Sequence, residues 1–191
     1  MKGIIFIKEM FLSIISGTKT QTRRLVKPQP QGCFVPTKDG YQDGHYRNFK
    51  PRYKVGEIVY IKEPFVIAGG RKENPDGLIA YKYRPNVLFK NAQQPDKWEN
   101  PRTMPEKYAR YFIQITGVRC ERVQEISDKE CLKEGIIKWK CLNLYYFDKN
   151  KTPDYKTQKQ AFAALFNEIN GIGKWESNPF VWCYSFKLVE K

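Results

Sequence analysis

Histidine is almost absent: among 191 residues there is only His45. A lone imidazole without a set of partner ligands supports neither a zinc centre nor a histidine-based catalytic pair. The five cysteines, Cys33, Cys120, Cys131, Cys141 and Cys183, are odd in number and contain no C-x-x-C pair, so neither a disulfide framework nor a structural zinc is expected. They read as core or bystander thiols. Glycine-rich phosphate loops are missing as well, which argues against an ATP site, and no metal or cofactor is expected. No apolar run approaches the ~18–20 residues of a membrane span. The run Ile4 to Ile7, after Met1-Lys2-Gly3, is shorter than the apolar core of a secretory signal, so a cytoplasmic protein with no membrane partner is expected.

Acidic residues are also scarce, with 20 Asp and Glu against 34 Lys and Arg, for a formal net charge of +14. A surface so cationic predicts an anionic partner. Nucleic acid leads, because cations gain affinity by releasing counterions from phosphates while aromatic rings stack on unpaired bases. A merely soluble basic protein is the competing reading. Aromatics make up 15% of the chain and hydrophobic residues 41%, enough to build a packed core. The length predicts one domain over 1–191, with loop insertions around 28–52, 69–105 and 138–152.

Ile4, Ile5, Phe6 and Ile7 form a continuous apolar run, as in a strand covered on both faces. Met10, Phe11, Ile14 and Ile15 share one face of a short helix that Gly17 can end. Residues 28–52, rich in proline, glycine and polar groups and carrying His45, read as a long surface loop or flap. Lys54-Val55-Gly56-Glu57 is a turn before a strand, Ile58 to Ile61, that stops at Pro64. Few regular elements are expected over 69–105 apart from a strand at Leu78 to Tyr83. Tyr111 to Thr116 is a strong strand, running on toward Val123. Ser127 and Glu130 form a capping box for a short helix ended by Gly135. Thr152-Pro153 gives a start signal for a helix in which Phe162, Leu165, Phe166 and Ile169 share a face, ending at Gly171. Phe180, Trp182, Tyr184, Phe186 and Leu188 alternate on a closing strand. Strands separated by short helices, with no βαβ rhythm, predict an α+β fold built on a small mixed barrel or sheet.

From Met10 through Lys38 there is no acidic residue, yet Lys19, Arg23, Arg24, Lys27 and Lys38 fall there. Lys19 and Thr22 lie three apart just past a helix end, so a turn of the backbone can converge them on one ligand. Arg24 can then clamp an anion or pair with a core carboxylate. Alternatively these are solvated charges whose sign suits a helix C-terminus.

Gly17-Thr18-Lys19-Thr20-Gln21-Thr22-Arg23-Arg24 resembles the ASCH signature G-x-K-x-x-E-x-R, and Lys54-Val55-Gly56-Glu57 resembles the K-x-G-D turn that follows it. The chain is also similar to ASCH proteins of phages and prophages through Lys62-Glu63-Pro64-Phe65, Asn100-Pro101-Arg102-Thr103-Met104-Pro105 and Trp175 to Trp182. The resemblance implies a PUA-like small β-barrel of mixed sheet with short helices around it, and a cleft beneath the first helix that takes RNA or a modified nucleobase. Lys19, Thr22, Arg23, Arg24, Lys62 and Glu63 are then its ligand-binding candidates. Thr22 departs from the signature's Glu. That departure matches small ASCH enzymes that hydrolyse acetylcytidine with a Lys, a Thr three residues later and a downstream Glu.

Ser127 to Ile136 resembles the helix carrying that Glu, placing Glu134 at the matching position. Thr22 would be the nucleophile, Lys19 the base and Glu134 the acid, an amidohydrolase set. A ribonuclease needs only the same basic cleft and an acid/base pair. Two of these residues have simpler roles available: Glu134 pairing with Lys19 or Arg24 to shape the cleft, and Glu63 forming a salt bridge at a barrel end. Trp182 and Tyr184 can stack a base or serve as core.

Overall fold

In the computed structural model, which describes residues 1–38, 40–68, 78–83, 97–148 and 154–190, the first apolar run yields only a three-residue strand, β1 (Gly3–Ile5). It lies at the edge of a sheet, with Ile4 buried and Gly3 and Ile5 partly open, rather than covered on both faces. Helix α1 (Lys8–Ile15) follows and buries Met10, Phe11 and Ile14. The chain leaves it through Gly17 at φ 76°, the left-handed turn that glycine adopts without steric cost. The segment beyond, which carries no strand-like hydrophobic pattern, is nonetheless a strand, β2 (Gln21–Leu25).

The principal sheet combines β1 and β2 with β6 (Ile58–Lys62), β9 (Phe112–Arg122) and β12 (Phe180–Val189), in the order β1-β6-β9-β12-β2. β1 runs parallel to β6, with Gly3 opposite Tyr60, and the other pairings are antiparallel. The class is therefore α+β with a mixed sheet. Among the described residues no ladder joins β1 to β2, so the sheet is not seen to close into a barrel. The Arg24 guanidinium crosses that gap instead, donating from Nη2 to the Ile5 carbonyl at 2.5 Å. β12 lies between β9 and β2, so both of its edges are paired, and both faces of its first part are buried at Val181, Trp182, Cys183 and Tyr184.

Residues 28–52 form more than a loop. β3 (Phe34–Thr37), β4 (Gly40–Asp43) and β5 (Asn48–Phe49) make an antiparallel three-stranded sheet. Phe34 secures it through ring contacts with Tyr41, Phe49 and Phe180 at centroid distances of 5.0, 5.3 and 4.8 Å. β7 (Phe65–Ala68) and β8 (Leu78–Tyr81) form a hairpin over a small second core that includes Met104 and Tyr108.

The Ser127 box appears as expected: Ser127 Oγ accepts from the Glu130 amide and the Glu130 carboxylate accepts from the Ser127 amide, starting α2 (Asp128–Lys133). A short hairpin follows, β10 (Ile137–Trp139) with β11 (Leu144–Tyr146). The start signal Thr152-Pro153 lies outside the described residues. Helix α3 (Gln158–Asn170) begins at a different cap, Thr157, whose hydroxyl accepts from the Gln160 amide. It buries Phe162, Leu165 and Phe166, while Ile169 stays half-exposed. No helix among the described residues is long and apolar enough to cross a membrane.

Candidate ligand-binding site

The turn after α1 is docked against the end of α2. The Thr20 amide donates to the Lys133 carbonyl at 2.8 Å, and the Thr18 and Lys19 amides both donate to the Ser13 carbonyl. Gly135, at φ 97°, lets the chain fold back tightly: a Cβ there would stand 3.4 Å from Met10 Sδ and 3.6 Å from Lys19 Cβ. These two turns set Lys19 against Glu134. Lys19 Nζ donates to Glu134 Oε2 at 2.6 Å and to the Glu134 carbonyl at 2.7 Å, with both side chains out of solvent. Burial pushes the Lys19 ammonium below its usual range, opposed by the Glu134 carboxylate and assisted by the positive charge of Arg24 and Arg23.

Glu134 is also held by Arg23 rather than Arg24. Arg23 Nη1 donates to Glu134 Oε1 at 3.0 Å, and its Nη2 is ion-paired with Glu121 at 2.6 Å and Glu130 at 3.2 Å. Arg119 closes the network by pairing with the same Glu121 and Glu130. Arg23 is thus a tie between β2, β9 and α2. Its side chain is wholly buried, and its charge is spent on three carboxylates.

Lys19, Thr22, Arg23, Arg24 and Glu134 line one cavity of about 520 Å³. Phe6, Met10, Phe162, Leu165 and Phe166 give it apolar walls from the β1–α1 junction and α3. Thr22 is buried, and among the described residues its hydroxyl makes no hydrogen bond. Arg24 has no carboxylate partner among them. Its guanidinium lies 5.1 Å from the Phe6 ring centre, its Nε is buried without an acceptor, and burial lowers its pKa.

The remaining candidates lie elsewhere. Glu63 is fully buried away from this cavity and grips Arg110 with both oxygens, at 3.0 Å from Nε and 2.6 Å from Nη2; the Arg110 guanidinium covers Tyr81 at 3.9 Å. Burial raises the Glu63 pKa against the opposing pull of Arg110. Lys62 donates to the Arg102 carbonyl at 2.9 Å and faces a second cavity of about 650 Å³, which Trp182 and Tyr184 also border from the core. His45 sits in the turn between β4 and β5, where its amide caps Asp43. Sequence reasoning missed Glu121, Arg119 and Arg110 as partners of site residues. The alternation of Arg119 and Glu121 on one strand was the available signal. Among the described residues no group of three or more His, Cys, Asp or Glu is arranged to hold a metal.

No family model matches the chain, and no curated protein does. Among solved structures the chain is similar to a protein of Enterococcus faecalis V583 described under the family model DUF984, at 10% identity and a TM-score of 0.40 over 99% of this chain and 81% of that one. A likeness that low carries neither fold nor function across.

Proposed function

We propose that this protein binds RNA or a nucleobase-containing ligand, with the base in the cavity between α1, β2 and α3. The observation that carries this is the cavity's asymmetry. Apolar and aromatic walls enclose one polar corner, where an ammonium, a carboxylate and an unpartnered hydroxyl converge. A flat heteroaromatic base needs such apolar faces with a few fixed donors and acceptors at its edge. The net charge of +14 and the resemblance of Gly17 to Arg24 to the ASCH signature support the same reading, and we take the mixed sheet as the frame of a PUA-like barrel.

The test is fluorescence anisotropy with short single-stranded RNAs, beside calorimetry with nucleosides. Thr22→Val keeps the shape and removes the hydroxyl. The variant should bind about tenfold more weakly, as for one lost hydrogen bond of about 1–1.5 kcal/mol. Affinity no greater than that of an unrelated protein of equal charge, or an unchanged variant, would refute the proposal.

A second reading, deacylation of an acetylcytidine-type nucleoside, is favoured by one observation: the free Thr22 hydroxyl shares its cavity with a lysine whose pKa is lowered. Thr22 Oγ1 would attack the acyl carbon as its proton passes to neutral Lys19, which then protonates the departing amine. Glu134 holds the Lys19 amine in place at 2.6 Å; water then attacks the acyl carbon, and its proton passes through Lys19 back to Thr22 Oγ1 as the acyl group leaves as a carboxylic acid. Release of cytidine by the wild type and none by Thr22→Val or Lys19→Ala is the expected result. No release at high enzyme concentration rejects this reading and leaves binding untouched.

A further inference from the structure

We infer that the second cavity is a phosphate seat, and hence that the ligand is a phosphorylated nucleotide or single-stranded RNA rather than a free nucleoside; the base half of this rests on the reading above. Arg24, Lys27, Lys50, Arg52, Lys62 and Arg102 line this cavity, and among the described residues no carboxylate does. None of the six is ion-paired among the described residues. Elsewhere buried charges are matched: the buried Lys19 and Arg23 face Glu134, and the buried Glu63 faces the half-buried Arg110. Like charges gathered without counter-ions repel one another, and an anion in their midst relieves that cost. A single carboxylate is a poor match for so many cations. Successive phosphodiesters, each carrying one charge, suit both the number and the volume of about 650 Å³.

Two details connect this seat to the base cavity. Ile5, Arg24 and Arg102 line both cavities, so they form adjoining parts of one trough. Arg24 stands at the junction with its Nε buried and, among the described residues, without an acceptor. The floor also leaves room for a cation: a Cβ on Gly3 would lie 2.3 Å from Lys62 Cε and 2.8 Å from Tyr60 Cζ, so the missing side chain admits the Lys62 stem. Both tyrosines are anchored to the backbone, Tyr53 donating to the Gly3 carbonyl and Tyr184 accepting from the Arg52 amide, both at 3.0 Å. The rings therefore supply walls and the cations supply recognition.

The experiment compares the wild type with the triple variant Lys27→Ala/Lys50→Ala/Arg52→Ala, all at exposed positions, with Thr22→Val, and with a control triple Lys133→Ala/Lys140→Ala/Lys174→Ala of exposed lysines outside the seat. Thermal melts establish that each is folded. The probes are inorganic phosphate, a nucleoside, its 5′-monophosphate and a pentanucleotide RNA, titrated over a series of potassium chloride concentrations. In the wild type the monophosphate should bind at least tenfold better than the nucleoside, and phosphate should compete with the pentanucleotide. The seat triple should lose that advantage, and its salt slope should fall by about two, at about 0.7 per phosphate contact on a single strand.

Equal binding of nucleoside and monophosphate by the wild type overturns the inference. So does an unchanged slope in the seat triple, or an equal fall in the control triple. If instead the nucleoside does not bind and Thr22→Val changes nothing, while the seat triple loses phosphate and pentanucleotide, the base-binding reading fails and the phosphate seat stands.

Discussion

Replacing Glu134 with Gln removes one negative charge from a site that holds two buried cations. Lys19 Nζ lies 2.6 Å from the carboxylate and Arg23 Nη1 lies 3.0 Å from it, with 2% and 0% of those side chains exposed. Arg23 keeps Glu121 and Glu130, so the burden falls on Lys19, whose remaining acceptor is the Glu134 carbonyl at 2.7 Å. Stranding one member of a buried ion pair costs about 3–5 kcal/mol. For a chain of this length each kcal/mol moves the midpoint about 2–4 °C, so the variant should melt about 6–20 °C lower at pH 7.

The loss should also depend on pH in a definite sense. Burial lowers the Lys19 pKa in the folded state, and deleting the carboxylate lowers it further. Between that folded value and the higher unfolded one, the unfolded chain binds more protons, so stability rises with pH. Urea denaturation followed by tryptophan fluorescence at pH 7, 8 and 9 measures this, and the deficit should shrink as the pH climbs. The double variant Lys19→Met/Glu134→Gln, with no ammonium to strand, should recover part of the loss. A Glu134→Gln deficit below about 1 kcal/mol, or a double variant no better than the sum of its singles, would show that the pair is not coupled as its burial requires.

Arg110→Met leaves the fully buried Glu63 carboxylate without its bidentate partner. Burial already raises the Glu63 pKa, so the folded state holds the proton more tightly than the unfolded chain. Stability of the variant should fall as pH rises from 5 to 7, and a melt insensitive to pH over that interval contradicts this. Gly17→Ala forces an L side chain into φ 76° and should cost about 1–2 kcal/mol in a chemical denaturation curve, although nothing blocks the added methyl. Thiol labelling of the native protein at pH 8 should be rapid at exposed Cys33 and Cys141 only, because burial pushes Cys120, Cys131 and Cys183 up to about 12. Fast reaction of a third thiol in the folded protein would contradict the burial of Cys131 and Cys183 and the partial cover of Cys120.

Elements whose pattern is local were legible. The Ser127–Glu130 box, the apolar face of α1 and the alternation over Phe180 to Val189 each state their own structure. β2 was not, because Thr22-Arg23-Arg24 carries no alternation of apolar and polar groups. Its extended state comes from pairing with β12 and from three carboxylates far along the chain that neutralise Arg23. The sheet in 28–52 was hidden because strands of two to four residues are too short for a period of two to register, and its aromatic contacts are tertiary. At the site, the spacing of Lys19 and Thr22 allowed their convergence, and the resemblance singled out Glu134. That Arg23 is a buried tie and Glu63 an internal partner of Arg110 depends on distances across the fold. The trough wall shared by Lys27, Lys50, Arg52 and Lys62 joins positions that no local spacing rule connects.

The place of β12 between β9 and β2 has a consequence for the order in which the molecule can be made. β2, which carries Thr22, Arg23 and Arg24, has β12 as its sheet neighbour, and residues 22 and 184 stand opposite each other. During synthesis β2 therefore waits until β12 has been made before its backbone groups are matched, and contacts of such long sequence separation form late. Arg23 must meanwhile stay solvated with its three glutamates uncollected. A chain stopped before Phe180 would leave β9 and β2 as two open edges and the second cavity without the Trp182 and Tyr184 rings, so that cavity is not complete until β12 has been made.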